Sequence, residues 1–156
     1  GENMGYDDEK LIKGRAKELT DIVTSKLSSM LIINRDYEKT VRSGIPDDEF
    51  IRGKAPMTKA EVRCQVISKL DIGSSDICWD IGSGTGSVSV EMALRCPVGC
   101  VYAVERDEES AVLSEKNFRK FGCDNIIQLC GRAEELTDKL PAPDCVFIGG
   151  SGGGNS

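Results

Sequence analysis

Histidine is absent from the 156 residues, and this absence removes several kinds of chemistry at once. Ser-His-Asp and Cys-His catalysis, zinc sites with histidine ligands and haem held by histidine all need that side chain. The chain has 20 Lys and Arg against 26 Asp and Glu, which gives a formal net charge of −6. A general nucleic-acid binder needs a basic surface to neutralise phosphates, so we expect no nucleic-acid partner.

The sequence also lacks a long hydrophobic run and the pattern of a secretory signal. No stretch reaches the roughly 18 apolar residues of a membrane helix, so we expect no membrane association. The seven cysteines are odd in number and include no CxxC pair, which disfavours both a disulfide framework and a zinc site. We therefore predict reduced, structural cysteines, no metal site and a cytoplasmic location.

The first 43 residues differ in pattern from the rest of the chain. Apolar residues recur at helical spacing between residues 7 and 27, which predicts an amphipathic helix. The run Met30-Leu31-Ile32-Ile33 is long enough for one strand, and a polar segment rich in Gly and Pro follows as a linker or lid. We expect residues 1–43 to be a separate N-terminal segment and residues 44–156 to form the main domain.

From Thr58 onward, helix and strand patterns alternate. A capping box at Thr58-Lys59-Ala60-Glu61 predicts a helix that begins at Thr58 and ends near Leu70. The later elements are predicted as strands at 76–81, 100–104, 125–130 and 144–148, with helices at 88–95, 108–121 and 133–140. This alternation predicts an α/β fold with a doubly wound, mainly parallel, Rossmann-like sheet. The strands are apolar at nearly every position, which is typical of strands covered on both faces.

A glycine-rich loop, Asp80-Ile81-Gly82-Ser83-Gly84-Thr85-Gly86, joins the first of these strands to its helix. Such folds bind nucleotides at this position, because glycines bring backbone N–H groups close to the ligand. The third glycine comes one residue too early for the dinucleotide fingerprint. D-x-G-x-G-x-G is instead the pattern of methyltransferases that use S-adenosylmethionine (SAM), whose ammonium group suits an acidic loop mouth at Asp80. We predict SAM contacts at Asp80, Gly82, Ser83, Gly84, Thr85 and Gly86.

The ends of the next strands extend this predicted cofactor site. Glu105 ends the second strand, where an acidic side chain accepts hydrogen bonds from both ribose hydroxyls. Arg106 follows it and joins the predicted site, although Glu105 would repel the extra phosphate of NADP. Arg132 and Ala133 are predicted to border the adenine pocket. Gly149 opens the glycine-rich end of the fourth strand, where bare backbone leaves room for a large substrate.

Several more specific motifs occur in a fixed order along the chain. They are Ile45-Pro46-Asp47-Asp48-Glu49-Phe50-Ile51, Pro56-Met57-Thr58-Lys59-Ala60-Glu61-Val62-Arg63, Trp79-Asp80-Ile81-Gly82-Ser83-Gly84-Thr85-Gly86-Ser87-Val88-Ser89, Tyr102-Ala103-Val104-Glu105-Arg106 and Phe147-Ile148-Gly149-Gly150-Ser151-Gly152-Gly153. With them, residues 44–154 resemble the decarboxylating precorrin-6Y methyltransferases of cobalamin biosynthesis, also called precorrin-8w decarboxylases. The resemblance indicates that the terminal glycines are native.

The resemblance implies a class I SAM-dependent C-methyltransferase. Its substrate would be a corrin-ring precursor, methylated at a meso carbon and decarboxylated at a ring acetate. Carried over by position, the SAM contacts are Thr58, Gly82–Gly86, Glu105 and Ala133. The resemblance also implies a homo-oligomer, a tetramer in this family, and a fused or separate methyltransferase for the other meso position. Residues 1–43 would then be either a leader or the end of a preceding fused domain.

No catalytic residue follows from the sequence. The reacting carbon of such a substrate is an electron-rich enamine position, so the enzyme must mainly align it with the methyl donor. Asp47, Asp48 and Arg52 either line the substrate mouth or form a solvated charge run. A class I methyltransferase has seven strands, so we expect this chain to stop after the fourth, leaving an exposed apolar edge.

Three other functions stay open at this point. A SAM methyltransferase acting on RNA or protein is disfavoured, because the fourth strand is followed by glycines and not by an Asn/Asp-Pro-Pro-aromatic motif. An NAD-dependent oxidoreductase is disfavoured by Ser87, which stands where the dinucleotide fingerprint has its third glycine. A non-catalytic SAM-binding module would bind SAM tightly and transfer no methyl group.

Overall fold

The computed structural model describes residues 1–33 and 43–149, and contacts divide the chain into two compact units, residues 1–39 and 40–156. The glycine run after Gly149, predicted to border the substrate, lies outside the described residues. Within the described part, no helix is long and apolar enough to cross a membrane.

The N-terminal unit lacks the helix and the strand that its sequence predicts. Residues 7–27 form a single 3-10 turn at Ala16–Glu18, and residues 30–33 are not in a strand, so both predictions are wrong. The apolar side chains of the expected helical stripe are largely exposed, with Val23 at 93% and Leu27 at 58%. Periodicity alone does not hold a helix together in water, because most helical stability comes from packing of the apolar face.

The second unit contains the predicted alternation of helices and strands. Its elements are α1 (Ala60–Leu70), β1 (Ile77–Ile81), α2 (Ser87–Arg95), β2 (Cys100–Glu105), α3 (Glu108–Lys120), β3 (Ile126–Cys130), α4 (Ala133–Leu136) and β4 (Cys145–Ile148). A 3-10 turn at Thr137–Lys139 extends α4. Gly122 follows α3 with a φ of +65°, the left-handed conformation in which glycine commonly ends a helix.

The four strands form one parallel sheet in the order β3-β2-β1-β4. In β1, Cys78 pairs with Val101 of β2 on one side and with Cys145 of β4 on the other. The chain therefore reverses its direction across the sheet at β1, and such a switch point opens a crevice at the carboxyl ends of the strands. The predicted doubly wound fold is confirmed.

One face of the sheet carries the core. Alternate residues of β1 and β2, including Cys78 and Val101, are fully buried and pack in one cluster with side chains of α1, α2 and α3. On the other face Val146 is 40% and Ile148 67% exposed, so the described residues do not cover both faces as predicted. Trp79 also belongs to this second face and is half-buried.

The predicted capping box is wrong. Helix α1 begins at Ala60, its N-cap is the extended residue Lys59, and no side chain caps the helix. The guanidinium of Arg63, in the first turn, instead donates a hydrogen bond to the carbonyl oxygen of Thr58. This bond keeps Thr58 in the extended segment that leads into the helix.

Candidate cofactor-binding site

The glycine loop follows β1 and is joined to the end of β2. Gly82, Gly84 and Gly86 have φ angles of +78°, +54° and +74°, a conformation that glycine adopts without steric cost. The backbone N–H groups of Gly82 and Ser83 both donate to the carbonyl oxygen of Val104, at 2.8 and 3.1 Å. Left-handed residues at every second position thus account for the G-x-G-x-G spacing.

Glu105 connects this loop to the loop before α4. Its Oε2 accepts a hydrogen bond from the N–H of Gly84 at 2.8 Å, and its Oε1 accepts one from the N–H of Asp107 at 3.0 Å. Its carbonyl oxygen accepts from the N–H of Gly131 at 2.9 Å. Each carboxylate oxygen still has acceptor capacity, so both bonds are compatible with the predicted ribose hydroxyls. Arg106, the next residue, is exposed.

Three buried polar atoms in and under the loop lack hydrogen-bond partners among the described residues. They are Oδ1 of Asp80, Oγ of Ser83 and Oγ1 of Thr85. Buried polar groups are normally paired, so three such atoms around one loop indicate unused capacity for a polar ligand. The loop therefore fits a cofactor with several hydrogen-bonding groups, such as SAM.

Asp80 lies beneath the loop and not at an open mouth. The residue is 1% exposed, and the hydroxyl of Ser89 in α2 donates a hydrogen bond to its Oδ2. Burial raises the pKa of the Asp80 carboxyl to about 6, against the hydrogen bond from Ser89, which lowers it. A contact between Asp80 and the ammonium group of SAM stays a prediction.

The raised pKa of Asp80 has a measurable effect on stability. The carboxyl of folded Asp80 has a pKa of about 6, whereas an unperturbed carboxyl has a pKa of 3.8, so the contribution of Asp80 to stability falls as the pH rises from about 4 to about 6. We expect Asp80→Asn to remove this slope and, at about pH 8, to raise the free energy of unfolding by up to about 3 kcal/mol. Urea unfolding of wild type and Asp80→Asn at about pH 4, about pH 6 and about pH 8 measures the slope and the gain in stability.

Ser89→Ala is the control for this prediction. It removes the donor that favours the charged carboxylate, so the loss of stability with rising pH should become larger and extend to higher pH than in wild type. An Asp80→Asn variant with the wild-type slope between about pH 4 and about pH 6 would show that another group causes it.

The segment that ends at Thr58 and the end of β4 at Gly149 both lie close to the glycine loop. Residues 44–58, which we call the strap, end at Thr58, and the carbonyl oxygen of Pro56 lies 2.9 Å from where a Cβ on Gly84 would stand. Gly149 donates its N–H to the carbonyl oxygen of Ile81 at 2.7 Å. The structure therefore brings the strap and the end of β4 to the glycine loop, as the predicted site requires.

The remaining predicted residues lie at the start of α4. Arg132 is the exposed N-cap of this helix and Ala133, its first residue, is half-buried. The preceding Gly131 is hydrogen-bonded to Glu105, so this turn lies beside the predicted ribose site. A role for Arg132 and Ala133 next to the adenine stays a prediction.

Arg63 is hydrogen-bonded to both ends of the strap. This residue is fully buried, and its Nε donates to Oε1 of Glu91 at 2.9 Å. Its Nη1 donates to Oδ1 of Asp47 at 2.9 Å and to the carbonyl oxygen of Thr58, while its Nη2 donates to the carbonyl oxygen of Ile45. One guanidinium thus holds the first and the last part of the strap.

The charged residues of the strap have separate roles. Asp47 accepts from Arg63 and pairs with Lys59 at 3.3 Å; partial burial raises its pKa, but these two cations hold the net pKa below the ordinary value. Asp47 is therefore a structural partner of Arg63. Asp48 and Arg52 are exposed, as expected of a solvated charge run.

Sequence reasoning missed three buried polar residues: Arg63, Glu91 and Asn117. Glu91 is the sole acidic residue in the small and apolar stretch Ser87–Leu94, which was the available signal that it is buried with a partner. Asn117 gave no comparable signal, because an Asn in the middle of a polar helix is expected to be exposed at the surface.

A comparison of sequences decides the family. The sequence model of the precorrin methyltransferase domain matches residues 49–156. The chain belongs to the precorrin methyltransferase family. In this precorrin methyltransferase domain the match includes the glycine loop, Glu105 and Asn117, and it begins inside the strap.

Individual relatives agree with this result. A probable cobalt-precorrin-6B C(15)-methyltransferase (decarboxylating) from Pyrobaculum calidifontis is 47% identical over 112 residues, which are 70% of this chain and 57% of that protein. The chain therefore spans little more than half the length of that relative.

Two solved structures share the fold. Precorrin-6y C5,15-methyltransferase from Geobacter metallireducens is 42% identical with a TM-score of 0.69, covering 75% of this chain and 62% of that one. The C-terminal domain of precorrin-6Y C5,15-methyltransferase from Rhodobacter capsulatus is 30% identical with a TM-score of 0.66, covering 73% and 61%. The predicted Rossmann-like methyltransferase fold is confirmed for this chain.

Proposed function

We propose that this chain is the SAM-binding part of a C-methyltransferase that acts on a corrin-ring precursor in cobalamin biosynthesis. In this proposal a meso carbon is methylated and an acetate side chain of the ring loses carbon dioxide. The main support is the glycine loop beside Glu105, where three buried polar atoms have no hydrogen-bond partner among the described residues. The relative from Pyrobaculum calidifontis, named as a decarboxylating C(15)-methyltransferase, supports the reaction.

The residues of the chain bind and orient in this proposal. Glu105 would accept the ribose hydroxyls while Gly84 holds its carboxylate in place. Ser83 and Thr85 would hydrogen-bond polar groups of the cofactor through their hydroxyls. SAM, when bound, supplies an electrophilic methyl group on sulfur. Because the substrate carbon is electron-rich, the main catalytic task of the protein is to align this carbon with the methyl group.

The proposal is tested by mass spectrometry of the reaction mixture. Purified full-length protein is incubated with SAM carrying an isotope-labelled methyl group and with the corrinoid precursor, once with cobalt and once without. The expected product has gained one labelled methyl group and lost one carbon dioxide. SAM binding without methyl transfer to either precursor would favour a non-catalytic module, and transfer to RNA or protein would favour another methyltransferase class.

Glu105→Ala should weaken SAM binding by about 1–3 kcal/mol, or about 5- to 150-fold, since it leaves paired polar groups without their partner. Isothermal titration calorimetry measures the affinity. Glu108→Ala, an exposed acidic residue three positions further along, is the matched control and should leave the affinity within about twofold. An unchanged affinity in Glu105→Ala would remove Glu105 from the site.

We also propose that a second methyltransferase, fused or separate, acts at the other meso position, and that the enzyme is a homo-oligomer. The support for a fused partner is that one structural relative is named for both C5 and C15, and that another is described as a C-terminal domain. The cytoplasmic location also remains a proposal, supported by seven free cysteines.

A further inference from the structure

Asn117 contacts the strap and the glycine loop at the same time. The residue lies in α3 and has no exposed surface. Its Oδ1 accepts from the N–H of Ile51 at 2.8 Å, and its Nδ2 donates to the carbonyl oxygen of Ile51 at 3.1 Å. The same Nδ2 donates to the carbonyl oxygen of Thr85 at 2.8 Å. An amide offers the donor and the acceptor side by side that this pairing needs.

The two segments that Asn117 joins both contribute residues to the predicted SAM site, Thr58 from the strap and Gly82–Gly86 from the loop. Thr85 belongs to the glycine loop, and the strap continues from Ile51 past Pro56 to Thr58. Strap and loop are in van der Waals contact, because a Cβ on Gly84 would stand 2.9 Å from the carbonyl oxygen of Pro56. A small shift of the strap would therefore change the shape of the site.

We propose that Asn117 is a positioning residue for the SAM site, which fixes the spacing and register of the strap against the glycine loop without touching the cofactor. This inference rests on the proposed function. It is specific to the chemistry of the amide: Asn117→Asp keeps the acceptor for Ile51 and loses the N–H donors, whereas Asn117→Leu keeps the approximate volume and loses every bond.

Asn125 offers a matched control. Its Nδ2 donates to the carbonyl oxygens of Ala93 and Cys96 at 3.1 and 2.8 Å, at the end of α2 remote from the glycine loop. Asn125→Asp therefore makes the same chemical change as Asn117→Asp, with the loss of two backbone contacts, but leaves the strap and the loop untouched.

The first measurement is the dissociation constant of SAM. We expect Asn117→Asp and Asn117→Leu to raise it about 10- to 100-fold at about pH 8, and Asn125→Asp to change it less than about twofold. The loss of SAM affinity in Asn117→Asp relative to wild type should be several-fold smaller at about pH 5.5, because the protonated carboxyl regains one hydrogen-bond donor. The ratio to wild type at each pH cancels the titration of Asp80, which wild type shares.

A purely structural role would give a different result. Asn125→Asp would then weaken SAM binding as much as Asn117→Asp does, or the deficit in Asn117→Asp would not depend on pH. Either outcome overturns the proposal, and so does SAM affinity within about twofold of wild type in both Asn117 variants.

Hydrogen exchange separates this inference from the proposed function. Even without ligand, the amides of residues 50–58 should exchange at least about tenfold faster in Asn117→Asp than in wild type or Asn125→Asp. If wild type binds no SAM, the proposed function fails, and unchanged exchange in this segment would overturn the role of Asn117 independently. If Asn117→Leu does not fold, the measurements on Asn117→Asp alone test the proposal.

Discussion

Arg63→Met lowers the free energy of unfolding by about 3–5 kcal/mol, which is the expected cost of leaving the buried carboxylate of Glu91 without its cation. Both side chains are fully buried and their Nε and Oε1 atoms are 2.9 Å apart. The change also removes the hydrogen bonds to the carbonyl oxygens of Ile45 and Thr58. The first part of the strap then keeps the hydrogen bonds that the N–H groups of Gly44 and Ile45 donate to Glu91, and the last part loses the bond at Thr58. SAM affinity should therefore fall with stability.

Urea unfolding followed by circular dichroism measures this loss. Arg119→Met is the control, because Arg119 and Glu115 form an exposed pair at 3.4 Å whose removal should cost less than about 1 kcal/mol. Adding Glu91→Gln to Arg63→Met should recover part of the stability, since the unpaired buried charge disappears. A loss below about 1 kcal/mol in Arg63→Met would mean that water reaches Glu91 and compensates it.

Gly86→Ala should destabilise the protein by about 2–5 kcal/mol, the sum of an overpacked contact and a left-handed non-glycine residue. Gly86 has a φ of +74°, and a Cβ there would lie 2.5 Å from Cε1 of Phe118 and 2.9 Å from Cβ of Ser114. Both neighbours belong to α3, so the loop and α2 would have to move away from that helix. SAM binding should be lost together with stability.

Gly122→Ala separates the two causes. Gly122 has a φ of +65°, and nothing lies within 4 Å of the Cβ position. This variant therefore reports the backbone strain alone, about 1–2 kcal/mol, and should bind SAM normally. Equal losses for Gly86→Ala and Gly122→Ala in thermal unfolding would show that the contact with Phe118 relaxes at no cost.

The sequence predicted most of the second unit because its signals are local. Each strand is a short apolar run, and glycine marks the turns at positive φ, so the loop and Glu105 were placed correctly. The buried ion pair of Arg63 and Glu91 was not predicted, since its two members are 28 residues apart. Arg63 looks like a surface charge on a helix, and the apolar stretch around Glu91 signals burial but does not identify the partner. Pairing at that distance depends on how helices pack, which no local pattern records.

The first unit shows the opposite failure. Apolar residues recur at helical spacing in residues 7–27, but the structure has no α-helix there. The period shows that one face of a helix would be apolar, but it does not show whether a surface exists to bury that face. Exposed Val23 and Leu27 illustrate the difference.

The position of the single tryptophan has a practical consequence for fluorescence. Trp79 lies in the central strand β1, whereas residues 1–39 contain no tryptophan. Tryptophan emission therefore reports on the environment of β1, between β2 and β4, and its change during unfolding marks the melting of the sheet.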